Sequence, residues 1–227
     1  MLLEQIIDTI KYGELSNISV ESEEVPKIIN FINLGLIQLY SKFPIVEKQV
    51  VIQQYNQISL YVLDYRFARS NINSLMPHRY ILDTPEDPFM DDVMFITGVC
   101  DEWGRPVSLN DDHDPHSYFL VSHNTVQIPN ANEHNSTFII YRAKPKRIRT
   151  KEYNMMEEVI LPEYLLEALS AYVGFKAMQS MTSEEGSALS DKFLDRYNTL
   201  VNEVQQNNLM NSNVSPTNIK LGFRGYK

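Results

Sequence analysis

The chain has 227 residues, 43% of them hydrophobic, and a formal net charge of −9, which is typical of a globular protein with a sizeable core and disfavours a general nucleic-acid-binding protein. Its single cysteine, Cys100, excludes an internal disulfide and disfavours a structural zinc site. No run reaches the roughly 18 apolar residues of a membrane span, and the first residues include acids where a signal peptide has bases. We therefore expect one large or two small domains, neither secreted by the usual route nor embedded in a membrane.

Two helices are predicted near the N-terminus. The first covers residues 2–12 and places its leucines and isoleucines on one side. The second covers residues 22–42, has Pro26 in its first turn, and ends before Pro44. Apolar residues recur along it with the i, i+3, i+4 spacing of a helix face. They predict a buried stripe of Val25, Ile28, Ile29, Ile32, Leu36, Leu39, Tyr40 and Phe43.

After Pro44 the pattern changes to that of β-strands. Residues 46–55 and 58–63 are rich in β-branched and aromatic side chains, and only Asn56 and Gln57 separate them, so they predict a β-hairpin. An irregular stretch follows over 64–91, with three prolines as breakers. Further short strands are predicted over 92–100, 106–110, 117–122, 125–129 and 136–143. The sequence thus predicts roughly five to seven strands inserted between two helical parts.

Residues 161–208 predict two long helices that fold back as an antiparallel hairpin, because only two or three residues separate them. The apolar face of the first helix is predicted to contain Tyr164, Leu165, Ala168, Leu169, Tyr172, Val173 or Phe175, and Ala177. That of the second contains Ala188, Leu189, Phe193, Tyr197, Leu200, Val201 and Val204. Beyond this hairpin no period remains, which indicates an extended arm or a frayed end.

Together these elements predict an α+β fold. The N-terminal helices and the C-terminal hairpin, residues 1–45 and 150–208, form an α-helical bundle. A small antiparallel β domain, residues 46–149, is inserted into it, and residues 209–227 form an extended C-terminal arm.

The strongest charge anomaly is a run of six cations without an acid. This basic segment consists of Arg142, Lys144, Lys146, Arg147, Arg149 and Lys151. One interpretation is a contact with nucleic-acid phosphates or with an acidic surface of another subunit. The other is a solvated linker whose charge is compensated by acids such as Glu152, Glu157 and Glu158.

A second polar cluster could hold a divalent ion. It contains Asp111, Asp112, His113, Asp114 and His116, with His123 and His134 nearby. The spacing matches neither a helix-borne zinc motif nor an EF-hand loop, and polar turn residues between strands explain the same composition. No nucleophile elbow, phosphate-binding loop or dinucleotide fingerprint occurs in the sequence. Nothing in the sequence therefore argues for an enzyme, and we expect no cofactor.

Two helical stretches resemble a known family. The run VPKIINFINLGLIQLYSKFPI, residues 25–45, resembles the helix that opens the head–tail adaptor proteins of tailed bacteriophages, in which a β-rich insertion follows. The run VILPEYLLEALSAYVGFKAM, residues 159–178, with a second helix and a polar arm after it, is similar to the closing hairpin of that family. The resemblance is strongest to the connector-ring adaptors, or tail tubular protein A-like proteins, of short-tailed phages, the crAss-like group among them. It covers helical residues alone.

The resemblance implies a structural protein of the virion, made in the bacterial cytoplasm and located at the neck between head and tail. Twelve copies would form a ring beneath the portal protein, bind tail or other ring proteins below, and surround double-stranded DNA during genome ejection, without membrane contact. Because arms of this family dock on the portal, we expect the arm to contact the portal or a neighbouring subunit. Its candidate contact residues are Leu209, Met210, Ile219, Leu221, Phe223, Arg224 and Tyr226.

Two other functions remain open at this point. One is a packaging or regulatory factor that binds nucleic acid through the basic segment. The other is a metal-dependent cell-wall hydrolase that uses residues 111–116, since some adaptor-like proteins of short-tailed phages have cell-wall-degrading activity.

Overall fold

A computed structural model describes residues 1–13, 15, 24–181, 184–207 and 209, and it has the predicted α+β fold. Within these residues the chain forms two compact units. The helical unit contains Met1–Ile45 and the described residues from Pro145 to Leu209, and the β unit contains Val46–Lys144. Except for Leu209, the predicted arm lies outside the described residues.

The helical unit is built around one central helix. Its helices are α1 (Leu3–Tyr12), α2 (Val25–Lys42), α3 (Leu166–Gln179) and α4 (Glu184–Gln206), and a single 3-10 turn, Glu163–Leu165, precedes α3. α3 packs against α1, α2 and α4, which explains why it is buried on more than one face. The antiparallel hairpin of α3 and α4 is as predicted.

The predicted stripe of α2 is confirmed, because every one of its eight residues is buried. Gly35 lies on the same helix, at a point where α2 contacts α3. A Cβ atom at this position would lie 2.5 Å from Cδ1 of Leu169 and 3.0 Å from Cδ1 of Tyr172. The absence of a side chain at Gly35 therefore sets the spacing between the two helices.

The predicted apolar face of α4 is only partly correct. Tyr197, Val201 and Val204 are buried, but Ala188 and Leu189 are exposed. The reason is that the first turns of α4 contact α3 through small residues: Gly186 and Ser190 are buried there. Before α3, Tyr164 is likewise 41% exposed instead of buried, because it lies in the 3-10 turn and not in the helix.

The β unit contains two three-stranded antiparallel sheets among the described residues. In chain order the strands are β1 (Glu47–Gln53), β2 (Leu60–Val62), β3 (Val93–Cys100), β4 (Phe119–Ser122), β5 (Thr125–Gln127) and β6 (Ser136–Ala143). One sheet has the order β1-β6-β3 and the other the order β2-β5-β4. A shared core of apolar side chains connects the two sheets with the irregular segment between β2 and β3.

The predicted β-hairpin over 46–55 and 58–63 is wrong, because β1 pairs with β6 and β2 pairs with β5. A buried glutamine just after β1 accounts for the difference. Nε2 of Gln54 donates to the hydroxyl of Thr137 at 2.7 Å, and its Oε1 accepts the backbone N–H of Asn132 at 2.9 Å. These bonds hold the end of β1 to the start of β6. The strand predicted over 106–110 is also absent: only isolated bridges form at Pro106 and Leu109.

The irregular segment 64–91 closes over the core through aromatic side chains. Tyr80 packs edge-on against Tyr61, with ring centroids 5.1 Å apart, and stacks on Phe67 at 4.7 Å. Its hydroxyl accepts the N–H of Val62 at 2.8 Å and donates to the carbonyl of the same residue at 2.9 Å. One tyrosine thus satisfies both backbone groups of a residue in the short strand β2.

Candidate interaction surfaces

The six cations of the basic segment are divided between the two units. Arg142 belongs to β6, where its guanidinium lies 4.9 Å from the centroid of the Phe95 ring. The side chain of Lys144 is exposed, and its backbone N–H donates to the carbonyl of Asp92 at 2.6 Å. The other four cations belong to the helical unit. The basic segment is therefore not one separate loop, because its six cations belong to two different units.

A buried amide attaches the second half of the basic segment to α2. Oδ1 of Asn33 accepts the backbone N–H of Ile148 at 2.9 Å, and its Nδ2 donates to the carbonyl of Ile148 at 2.9 Å. Asn33 and Ile148 are both buried. Because both ends of one amide bind both backbone groups of one residue, Ile148 is fixed against the helix. The sequence signal for this contact is a lone polar residue inside an apolar helix stripe.

Acids close in sequence compensate part of the positive charge, as one of the two interpretations expected. Lys146 pairs with Glu157 at 2.8 Å, and Arg149 lies 3.9 Å from Glu152. Both cations keep 81% of their side-chain surface exposed, so these pairs contribute little to stability. Arg147 and Lys151 are exposed and form no ion pair with the described residues. A partly neutralised cationic surface remains.

Exposed aliphatic side chains occur on α2 and in the stretch before α3, and Ile160 lines a small pocket together with Lys146. Leu34 and Ile37 of α2 are 40% and 46% exposed, and Met156 and Ile160 are 63% and 60% exposed. The stretch before α3 is attached to α2, since the hydroxyl of Tyr40 donates to the carbonyl of Ile160 at 2.7 Å. We name the four aliphatic residues and the four cations of the helical unit the α2 surface: Leu34, Ile37, Lys146, Arg147, Arg149, Lys151, Met156 and Ile160.

The Asp/His cluster at 111–116 folds back on its own backbone. Oδ1 of Asp111 accepts the N–H of His113 at 3.0 Å, and Oδ1 of Asp114 accepts the N–H of His116 at 2.9 Å. The bond from His116, followed by one from Ser108, lowers the pKa of Asp114 below its ordinary value. Such bonds are those of polar turns. In the described ranges no three His, Cys, Asp or Glu side chains are arranged to hold a metal ion.

A cleft of about 470 Å³ lies next to this cluster. Its polar lining includes Asp101, Arg105, Asp114 and His116. Arg105 is engaged by Asp101, with Nε 2.7 Å from Oδ2, and its guanidinium lies 4.5 Å from the ring centroid of the exposed Trp103. The cleft brings together the carboxylates of Asp101 and Asp114 and the imidazole of His116, but its described residues include no nucleophile hydrogen-bonded to a base. Cys100 is buried in β3, and burial followed by the charge of Asp101 raises the pKa of its thiol.

Of the predicted arm contacts, Leu209 alone is described. It is 51% exposed, and its N–H donates to the carbonyl of Val204 at 3.3 Å. The remaining candidate residues lie outside the described residues: Met210, Ile219, Leu221, Phe223, Arg224 and Tyr226.

Two apolar side chains at the surface of the β unit were not anticipated from the sequence. Ile72 is 85% exposed and Leu75 is 98% exposed, although the segment around them is held in place. Nη1 of Arg79 donates to the carbonyls of Arg69 and Asn71 at 3.3 and 3.2 Å. The only sequence signal was an isolated pair of aliphatic residues in a polar stretch.

None of the described helices combines the length and the apolar character that a membrane span requires. No protein-family model matches the chain, and no curated protein shows significant sequence similarity to it. The functional interpretation therefore depends on the fold and on the surfaces described above.

Proposed function

We propose that this chain is a structural subunit of a phage particle, a head-to-tail adaptor that forms a ring beneath the portal and joins the capsid to the tail. The α2 surface is the observation that carries the proposal. Exposed apolar side chains with polar or charged residues at their rim mark surfaces that another protein covers. Asn33 and Tyr40 attach the backbone of Ile148 and Ile160 to α2, so two points of the segments that form this surface are held against the helix.

An adaptor ring also agrees with the charge of the chain. The formal net charge of −9 would let double-stranded DNA pass through a lumen without strong binding, because few phosphates would be neutralised. In this proposal the subunit has no enzymatic activity and no cofactor. Its partners are other copies of itself, the portal protein and tail or ring proteins, and it is located at the head–tail junction of the virion. The copy number of twelve follows from the family resemblance.

The test is the mass of the purified chain alone and mixed with the portal protein of the same phage, by native mass spectrometry. We expect a large stoichiometric ring on the portal. The matched variants are Ile37→Asp on the α2 surface and Leu189→Asp on α4, since these side chains are 46% and 43% exposed. Ile37→Asp should prevent ring formation and Leu189→Asp should not. A chain that stays monomeric in the presence of the portal would refute the proposal.

A nucleic-acid-binding packaging or regulatory factor is the second candidate, favoured by the exposed Arg147 and Lys151. It predicts DNA binding that weakens steeply with salt and that Arg147→Ala with Lys151→Ala removes. The adaptor proposal instead expects this double variant to form rings with at most weakened subunit contacts. Fluorescence anisotropy with labelled duplex DNA at two salt concentrations separates the two candidates.

A further inference from the structure

One edge of the larger sheet is only half covered. β1 is an outer strand in the order β1-β6-β3. At its far end the carbonyl of Val51 accepts the N–H of Leu82 at 2.8 Å, and the N–H of Gln53 donates to the carbonyl of Tyr80 at 2.8 Å. Because hydrogen-bonding direction alternates along an antiparallel strand, Glu47 and Gln49 turn their backbone groups to the same side. No backbone partner meets them there among the described residues.

A groove of about 450 Å³ lies along this uncovered half of β1. Its apolar lining includes Val50, Phe89 and Tyr141, and Met90, which is 66% exposed, also lines it. The carboxylate-bearing residues Asp83 and Asp87 also line the groove. An extended peptide could bond to the strand edge and place alternate side chains in the groove.

The charge of the groove is negative. Lys48, the cation in its lining, is already paired with Asp92 at 2.6 Å. Burial opposes ionisation of Asp83, but the N–H of Phe89 and the hydroxyl and N–H of Ser70 outweigh it and lower the pKa of this carboxyl. Asp83 is therefore anionic at neutral pH, and the excess of carboxylates in the groove lining would favour a peptide of net positive charge.

A segment of matching chemistry occurs in this same chain. Residues 219–224, IKLGFR, alternate apolar and other residues: Ile219, Leu221 and Phe223 fall on one side of an extended strand, with Lys220 and Arg224 on the other. Residues 213–227 contain three cations and no acid. Apolar side chains at every second position match the groove lining. The cations would point to the opposite face of the added strand, so they favour binding through the net positive charge of the segment and not through contact with the carboxylates of the groove.

We infer that residues 219–224 of one copy pair as an added strand with the uncovered edge of β1 in a neighbouring copy, and that Leu221 and Phe223 enter the groove. The inference rests on the proposed ring. Donor segment and acceptor edge are different surfaces of one chain, so each copy can donate in one direction and accept in the other. Such head-to-tail contacts close rings when the rotation between copies permits.

The test is complementation between two full-length variants. Leu221→Asp inactivates the donor, and Gln49→Pro removes the outward N–H of the acceptor edge, where a proline is tolerated because no bond to β6 is lost. Each variant alone is expected to remain monomeric. An equimolar mixture is expected to form a 1:1 dimer and nothing larger, because one donor and one acceptor remain intact. Native mass spectrometry distinguishes these species.

Asp87→Lys is the second acceptor variant, because Asp87 lines the groove. The backbone N–H and carbonyl of Asp87 bond to Thr84, and the substitution leaves these backbone groups in place. Its control is Glu133→Lys, since Gln53 contacts the carbonyl of Glu133 at the far end of β1. Asp87→Lys should weaken the dimer formed with the donor-intact partner, whereas Glu133→Lys should not.

A mixture of the two variants that stays monomeric would overturn the inference. If the wild-type chain then still forms a ring on the portal, the adaptor function stands without strand exchange. Hydrogen exchange at the Gln49 amide gives a further test. If this amide is protected to the same extent at every protein concentration, residues 219–224 pair within their own chain, and the inference is overturned. If the two variants form the 1:1 dimer but the wild-type chain forms no ring on the portal, the proposed adaptor function is wrong and the strand pairing stands.

Discussion

The hydrophobic cores of the two units are formed in different ways. In the helical unit, neighbouring residues of α2 supply one continuous apolar stripe, and a single polar side chain, Asn33, attaches a distant segment to it. In the β unit, strands far apart in sequence meet, and the polar ends of Gln54, Tyr61 and Tyr80 satisfy backbone or side-chain groups that the short strands leave open. The comparison indicates that the helical core depends on local periodicity and the β core on non-local polar contacts.

The largest effect is expected from truncation of the α2 stripe. Leu36 is 1% exposed, and Leu36→Ala should lower the free energy of unfolding by about 2–5 kcal/mol because it leaves a cavity. The matched control is Leu34→Ala on the same helix, where the side chain is 40% exposed. It should change the free energy of unfolding by about 0.5 kcal/mol or less. Urea unfolding followed by circular dichroism measures both. Equal losses would contradict a core organised as one stripe.

The next effect tests the clamp between α2 and the basic segment. Asn33→Leu keeps an apolar helix position but leaves the N–H and C=O of the buried Ile148 without partners. We expect a loss of about 1–3 kcal/mol and faster hydrogen exchange at the Ile148 amide. Asn30→Leu, at an exposed position of the same helix, is the control and should leave that amide protected. Unchanged exchange in Asn33→Leu would show that other contacts hold the segment.

A smaller effect is expected from one hydroxyl in the β unit. Tyr80→Phe removes the two bonds to the backbone of Val62 while preserving the ring contacts with Tyr61 and Phe67. The expected loss is about 1–2 kcal/mol, because backbone groups of β2 lose their partner. Tyr65→Phe is the matched control, since Tyr65 is 39% exposed in the same irregular segment. If both variants unfold at the same urea concentration, the polar contact of Tyr80 does not stabilise the β unit.

These differences explain how far the fold could be predicted from sequence. The stripe of α2 was correct at every residue, because helix periodicity is a property of neighbouring positions. The pairing of β1 was wrong, because its partner β6 begins more than eighty residues later and the signal for it is the side-chain chemistry of Gln54. Even in the helical unit, the face of α4 was misjudged at Ala188 and Leu189, where the small Gly186 and Ser190 form the contact.

The candidate surfaces could be predicted to a smaller extent. A run of cations is visible in any sequence, and two of its compensating acids, Glu152 and Glu157, were anticipated. The division of that run between two units was not, since it depends on where Ile148 is bound by Asn33. The exposure of Leu34 and Ile37 was not predicted either, because exposure of an aliphatic residue depends on what other segments cover.

The smallest effect at neutral pH is expected from removing the buried hydroxyl of Tyr40 or of Tyr197 in the helical unit. Burial raises the pKa of Tyr40 and of Tyr197 to about 12, whereas tyrosine in an unfolded chain has a pKa of about 10. Below about pH 10 both hydroxyls are neutral in the folded and in the unfolded protein. Above it the unfolded chain ionises first, so stability falls as the pH rises towards the folded-state pKa.

The two tyrosines differ in hydrogen bonding. The hydroxyl of Tyr40 donates to Ile160, whereas the hydroxyl of Tyr197 has no hydrogen-bond partner among the described residues. Tyr40→Phe should therefore cost about 1 kcal/mol at pH 7, and Tyr197→Phe should be neutral or slightly stabilising. Both should reduce the loss of stability between about pH 10 and pH 12, because one raised pKa is removed in each. Urea unfolding at pH 7 and at alkaline pH tests this prediction. A clear loss of unfolding free energy in Tyr197→Phe at pH 7 would show that the Tyr197 hydroxyl has a hydrogen-bond partner. The helical unit would then depend on buried polar contacts as the β unit does.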